Sequence, residues 1–118
     1  MVAGIQAFRD SGFEVTEANA SRIGCAIGSG IGGIGSIEDT AMLVDQRGPK
    51  RISPFFVPGA IINMIAGNLS ILYNLQGPNL AVVTACTTGT HNIGLGARMI
   101  AAGDVDAMLV GGAEMATT

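Results

Sequence analysis

The stretch "LAVVTACTTGTHNIGLGARMIAAGDVDAMLVGG", residues 80–112, decides the fold of this chain. It opens with the short apolar run 80–84 and closes with a second one, 105–112, and both are typical of strands that are buried on both faces. Between them, residues 87–103 have the pattern of a helix that ends at Gly103. A strand, a crossover helix and a second strand form a βαβ unit. The sequence therefore predicts an α/β fold built on a mostly parallel sheet.

The predicted crossover helix is apolar nearly all round and contains three glycines, Gly89, Gly94 and Gly96. Glycine inside a helix costs about 1 kcal/mol relative to alanine. A helix can accept that loss where a neighbouring element must come very close. We therefore expect a buried helix that runs through the centre of the fold.

Apolar spacing and punctuation by glycine and proline predict the remaining elements. The segment 47–59 holds three of the four prolines and is expected to be largely loop. Ser36 is the expected N-cap of the helix that follows the glycine-rich loop, because acidic residues occupy the turn after it. The predicted elements are an amphipathic helix at 2–12, a buried strand at 22–28, and helices at 36–46 and 60–75.

Length and composition limit the possible classes of protein. The 118 residues are 48% apolar and 13% charged, which excludes a disordered chain and allows one domain at most. The net charge of −3 gives no reason to expect a nucleic-acid partner, and no apolar run reaches the about 18 residues of a membrane span. With two cysteines and no export signal, we expect reduced thiols in the cytoplasm. The chain opens inside a predicted helix and stops after a strand and turn, so we expect 1–118 to be a fragment.

Cys86 is the candidate nucleophile because it lies at the corner between a predicted strand and a predicted helix. A side chain at such a corner is held out of the sheet, and the N–H groups of the helix N-terminus can stabilise a thiolate or an oxyanion. The alternative is an inert buried cysteine. For Cys25, in the middle of a predicted strand, the inert interpretation is the one we adopt.

His91 is the only histidine, and it follows Cys86 by five residues. On a helix this separation is about 140° of rotation, so the two side chains point to different faces. We expect His91 to be structural, either as a cap or by bonding a neighbouring loop. Either Cys86 is inert or its base lies outside these 118 residues.

The glycines Gly28, Gly30 and Gly33 match the dinucleotide-binding pattern G-x-G-x-x-G. That function also requires a second strand ending in an acidic residue about 20 positions later. The segment found there, 45–56, is basic and broken by proline, so the nucleotide hypothesis is weak. The alternative is a tight loop that brings backbone close to another group, such as an apolar ligand beside Ile31.

Four motifs resemble the beta-ketoacyl-[acyl-carrier-protein] synthases, and among them the synthase II group of bacterial fatty acid synthesis. They are "GSGIGG" (28–33), "SPFFVP" (53–58), "TACTTGTHNIG" (84–94) and "GGAE" (111–114). The resemblance implies a thiolase-like fold of two similar α/β halves. Residues 1–118 would be a fragment of the first half, within the N-terminal beta-ketoacyl synthase domain.

The resemblance also implies the chemistry. Cys86 would carry an acyl thioester and condense it with malonyl-acyl carrier protein, with loss of carbon dioxide. The two histidines of the family's catalytic site would follow residue 118, and no cofactor or metal is expected. Ile31 matches the position that gates the acyl pocket, and Phe56 matches a residue that lines the pocket of the partner subunit. The implied assembly is a homodimer in which "LAVVT" pairs with its own copy.

A basic cluster interrupts this acidic chain at Arg47, Lys50 and Arg51. It is either an ordinary solvated loop or a docking patch. The resemblance implies the second, with Lys50 and Arg51 steering the acidic acyl carrier protein towards the pocket.

Two other functions stay open beside that of a fatty acid synthase. Polyketide ketosynthases share the cysteine corner, usually with a serine-rich run after it, and polyketide chain-length subunits usually lack the cysteine. A nucleotide-binding module is the remaining possibility.

Overall fold

Three parallel strands form the sheet of the computed structural model, which describes residues 1–115. The central strand pairs with both neighbours, in the order β2-β1-β3. Its buried residue Cys25 lies opposite Leu109 on one side and Asn79 on the other. The strands are β1 (Ile23–Gly28), β2 (Asn79–Leu80) and β3 (Ala107–Gly112).

Five α-helices accompany the sheet in the described part of the chain. Short 3₁₀ turns at Ala20–Arg22, Pro49–Arg51 and Ala85–Thr87 complete the regular structure. Among residues 1–115, no helix has the length and apolar character needed to cross a membrane. The helices are α1 (Val2–Asp10), α2 (Ile34–Arg47), α3 (Phe56–Ala60), α4 (Met64–Tyr73) and α5 (Thr88–Ala101).

The two faces of the sheet are covered by different helices. Because side chains alternate along a strand, every second residue of β1 faces α1 and α4. Phe8 of α1 and Tyr73 of α4 close this core with stacked rings, whose centroids lie 3.9 Å apart. The buried members of the core are Ile23, Cys25, Ile27, Ala66, Leu69 and Leu75.

Helix α5 covers the opposite face of the sheet through a stripe of small and polar residues. Its buried positions are Thr88, Asn92 and Gly96, spaced four residues apart. A Cβ atom at Gly96 would lie 2.5 Å from a methyl carbon of Val110 on β3, so this glycine permits the close approach that the sequence predicts. Gly94 has open space around it, so its presence is not explained by packing among residues 1–115.

The predicted burial of α5 is found on one side only. Ile93 and Ile100 lie on its other side and are 53% and 44% exposed. The described residues therefore form three layers, with the sheet between α1 and α4 on one face and α5 on the other.

The predicted strand at 80–84 is wrong beyond its first residue. Strand β2 ends at Leu80, and the backbone N–H and C=O groups of Val82 bond to the side chain of Asn92 instead of to a strand. An amide side chain can satisfy both backbone groups at once, and this removes the need for a ladder partner.

Three other boundaries differ from the sequence predictions. Helix α2 has Gly33 as its N-cap and already contains Ser36. The segment predicted as loop at 47–59 holds the start of α3, and the predicted helix at 60–75 begins only at Met64. Pro58 does not prevent a helix here, because it lies in the first turn of α3, where a backbone N–H has no partner within the helix.

Candidate active site

Cys86 lies in the 3₁₀ turn that leads into α5, and its side chain is exposed. The residue before it, Ala85, has φ +52°, a left-handed conformation that is uncommon for a residue other than glycine. Strained backbone of this kind is concentrated at functional sites, and in hydrolases a similar strand-to-helix turn presents a nucleophile. The structure therefore places Cys86 at the start of a helix, as predicted, but the segment before it is a loop, because strand β2 ends at Leu80.

The segment before Cys86 is held by side chains of α5. Asn92, which is fully buried, accepts a hydrogen bond from Val82 N–H (3.1 Å) and donates to Val82 C=O (2.9 Å) and Thr88 C=O (2.8 Å). The hydroxyl of Thr88 accepts from Thr84 N–H at 2.9 Å, and the hydroxyl of Thr87 donates to Thr84 C=O at 2.7 Å. The corner is thus fixed by its own helix.

His91 belongs to the same set of contacts. Its Nδ1 atom lies 2.7 Å from the hydroxyl oxygen of Thr84, on the loop that precedes Cys86. This confirms the prediction that His91 bonds a neighbouring loop.

A cleft of about 530 Å³ opens beside Cys86. It lies between the N-terminus of α5 and the loops that follow β1 and β3, at the carboxyl ends of two parallel strands. In open α/β sheets this is the usual position of a ligand site. Ile31, which is 50% exposed, also lines the cleft, so the structure brings two of the predicted site residues together.

The carboxylate of Glu114 also lines this cleft, and it was not among the site residues predicted from sequence. Its Oε1 accepts a hydrogen bond from the hydroxyl of Ser29 (3.0 Å), and its Oε2 accepts one from Ile31 N–H (2.9 Å). Desolvation on its own raises the pKa of Glu114, but Ser29 and the backbone N–H groups of residues 30–32 outweigh it and hold this pKa below the usual value. A carboxylate in this loop disfavours a bound phosphate, which argues further against the nucleotide hypothesis.

Phe56, Lys50 and Arg51 lie away from the cleft. Phe56 is half-buried beside α2, in a small depression that it shares with Thr40 and Ser53. Lys50 and Arg51 are exposed in the turn before α3.

Cys25 has the surroundings expected of an inert thiol. It is fully buried in β1, and burial raises its pKa to about 11. At neutral pH such a thiol stays protonated, and the thiolate is the reactive form.

Comparison with solved structures identifies the fold. The structure of a type II PKS acyl-carrier protein in complex with its ketosynthase, bound to the hexaketide, matches 95% of this chain with a TM-score of 0.87 and 27% identity. The match covers 32% of that chain. The described residues therefore have the ketosynthase, or thiolase-like, fold.

Sequence comparison gives the family. The profile of the family "Beta-ketoacyl synthase, N-terminal domain" matches residues 1–118, and the chain belongs to this family. It is 64% identical to 3-oxoacyl-[acyl-carrier-protein] synthase 2 of Vibrio cholerae and 61% identical to that of Vibrio harveyi, over 118 residues in each case. Both alignments cover 100% of this chain, which spans 28% of the length of each relative.

Proposed function

We propose that the protein containing this chain is a 3-oxoacyl-[acyl-carrier-protein] synthase of fatty acid biosynthesis, with Cys86 as its nucleophile. The observation that carries the proposal is the exposed Cys86 at a strained corner, at the N-terminus of α5 and beside the cleft lined by Ile31. Relatives of the same name, at up to 64% identity, support the reaction. Both cysteines are free thiols, which supports a cytoplasmic location.

The proposed reaction has two stages. First, the Sγ atom of Cys86 attacks the thioester carbonyl of acyl-acyl carrier protein, and the carrier thiol leaves with the proton. Malonyl-acyl carrier protein then loses carbon dioxide, and the carbanion that remains attacks the thioester on Cys86. The Cys86 thiolate leaves, and the product is a 3-oxoacyl carrier protein longer by two carbons. The backbone N–H of Cys86 donates one of the hydrogen bonds that stabilise the oxyanion.

The groups that complete this site come from outside residues 1–118 in the proposal. The chain has one histidine, and its Nδ1 atom is engaged with Thr84. Two further histidines would stabilise the enolate formed on decarboxylation. We therefore expect residues 1–118 alone to lack condensing activity, as a fragment of the first half of the fold.

The acyl chain would occupy the cleft beside Ile31, which acts as its gate. Phe56 would complete the pocket of the partner subunit, which is consistent with its distance from the cleft of its own chain. The neighbouring Phe55 is 78% exposed and Val57 is 55% exposed, so this loop presents an apolar surface without a cover among residues 1–115.

A homodimer would cover both this loop and the open edge at β2. Leu80 and Val83 are 37% and 45% exposed beside a strand of only two residues. Unpaired apolar edges favour pairing with another chain. Light scattering of the full-length protein should give the mass of a dimer at micromolar concentration, and a monodisperse monomer would contradict this part of the proposal.

The partner that delivers substrate would be acyl carrier protein. The solved ketosynthase of similar fold is in complex with an acyl-carrier protein, and Lys50 and Arg51 offer an exposed basic pair to such an acidic partner.

A polyketide ketosynthase is the second candidate, since the structural comparison is with a type II PKS. That similarity has 27% identity, against 64% for the relative named for fatty acid chemistry, so the first candidate is preferred. The presence of Cys86 argues against a chain-length subunit.

The direct test uses the full-length protein with acyl- and malonyl-acyl carrier protein. We expect 3-oxoacyl-acyl carrier protein, longer by two carbons, and none of it from Cys86→Ala. Wild-type product yield from Cys86→Ala would refute the assignment of Cys86. Absence of product from the wild-type protein, with both carrier proteins loaded, would refute the proposed reaction.

A further inference from the structure

The glycine-rich loop at 29–33 is held at two points, and one of them is the Glu114 carboxylate. That carboxylate bonds Ser29 and Ile31, and the Ser29 hydroxyl in turn accepts from Gly32 N–H at 3.1 Å. At the other end, Gly33 N–H donates to the Ala60 carbonyl at 3.1 Å. The backbone of Ile31 therefore belongs to the first of these two anchor points.

The Ile31 side chain has no comparable restraint. It is 50% exposed and faces the cleft beside Cys86. The position of the Ile31 side chain therefore depends on the position of the Ile31 backbone. That backbone is held by the hydrogen bond from Ile31 N–H to Glu114. Since hydrogen bonds to a charged group are about twice as strong as neutral ones, the Glu114 carboxylate is a firm anchor.

Gly30 shows that the loop is shaped around this carboxylate. A Cβ atom at Gly30 would lie 2.7 Å from Oε2 of Glu114, closer than van der Waals contact allows. Any side chain there would push the carboxylate away from Ile31 N–H. The absence of a side chain at residue 30 thus leaves room for the carboxylate beside the loop backbone.

We propose that Glu114 is a positioning residue, which holds the Ile31 loop and so sets how well the cleft beside Cys86 accepts a long alkyl chain. The proposal rests on the proposed function only in one respect, which is that the long alkyl chain bound in the cleft is an acyl group. Glu114 also lines the cleft, and the effect proposed for it is exerted through the position of Ile31.

Alkylation of Cys86 in the full-length protein tests the proposal without carrier protein. With iodoacetamide and with N-dodecyl iodoacetamide, the Cys86 sulfur bonds to the carbon that carries iodine, and iodide and the thiol proton leave to solvent. Only the second reagent carries a long chain into the cleft. The rate of each is followed by mass spectrometry of the peptide that contains Cys86. In Glu114→Gln we expect the rate with the long reagent to fall about five- to tenfold relative to the short one, the loss expected when a charge-assisted hydrogen bond is replaced by a neutral one.

Two further variants keep the test decisive. Glu17→Gln makes the same chemical change at an exposed glutamate outside the cleft and should leave the ratio of the two rates as in wild type. Ser29→Ala removes one of the two bonds to Glu114 and should shift the ratio in the same direction by less. If Glu114→Gln fails to fold, the alkylation ratio of Ser29→Ala tests the proposal in its place.

The proposal is overturned if the ratio of the two rates is unchanged in whichever of Glu114→Gln and Ser29→Ala folds, or if both rates fall together. Failure of the proposed function gives a different result, since condensation would then be absent while the alkylation ratio still responds to Glu114→Gln.

Discussion

The Nδ1 atom of His91 lies 2.7 Å from the hydroxyl oxygen of Thr84, two residues before Cys86. The only histidine of the chain therefore supports the loop that carries the cysteine. If His91 were the base that removes the thiol proton, its replacement would change the pH dependence of Cys86 alkylation. If His91 only supports the loop, its replacement changes only the stability of the loop.

We accordingly expect His91→Gln, in the full-length enzyme, to alkylate at Cys86 with a pH profile of wild-type shape. The thermal unfolding midpoint should fall slightly, since one side-chain hydrogen bond contributes about 1 kcal/mol. Alkylation by iodoacetamide from pH 5 to 9 measures the profile. Loss of a titration step in the variant would show that His91 is the base.

Much of this corner could be predicted from sequence because its signals are local. The apolar run of β1, the small-residue face of α5 and the place of the cysteine at the start of that helix all follow from adjacent residues. The predicted strand at 80–84 was wrong because Asn92 satisfies the backbone of Val82 across ten positions.

Glu114 was missed for a related reason. Its partners Ser29 and Ile31 lie more than 80 positions earlier in the chain, and no local pattern relates them. The motif "GGAE" contained the residue, and the glycine-rich loop contained its partners. Only the register of β1 against β3, which sets Gly28 opposite Gly112, brings the two motifs together.

Ile31→Phe should narrow the cleft in which we propose that the acyl chain binds. Overpacking a fitted site costs about 1–3 kcal/mol, so loading of the longest acyl chains should slow by about five- to hundredfold while short chains load normally. Rates of acyl transfer from carrier proteins with chains of increasing length measure this. Ile31→Leu conserves volume and serves as the control. An unchanged length profile in Ile31→Phe would remove Ile31 from the site.

Lys50→Glu combined with Arg51→Glu should weaken the docking of acyl carrier protein that we propose for this basic pair. Reversing two exposed charges should raise the apparent KM for the carrier about tenfold at low salt, and less at high salt because screening grows. Turnover of small acyl-thioester mimics should be unaffected. The control reverses Arg9 and Arg98, which are exposed elsewhere. Equal losses with both substrates would indicate a structural loop instead of a docking site.

The ion pair between Arg22 and Asp106 predicts a pH-dependent contribution to stability. The hydrogen bond from Arg22, at 2.7 Å, lowers the pKa of Asp106 from its usual 3.8, despite some desolvation. The stabilising contribution is therefore complete above about pH 4 and is lost as the pH falls through the lowered pKa.

Asp106→Asn should consequently lower the unfolding midpoint at pH 7, and the difference from wild type should vanish in acid. Asp104→Asn is the matched control, since Arg22 bonds only the backbone carbonyl of Asp104. A difference between Asp106→Asn and wild type that persists at pH 2 would mean that the effect is not electrostatic.

The most direct test of the account is the position of the acyl group after loading. The full-length enzyme is incubated with acyl-acyl carrier protein, digested, and mapped by mass spectrometry. We predict one thioester adduct, on Cys86, which is absent in Cys86→Ala and unchanged in Cys25→Ala, since Cys25 is buried with its pKa raised to about 11. An adduct of wild-type yield on Cys86→Ala, or an adduct mapped to another residue of the wild-type enzyme, would contradict the account.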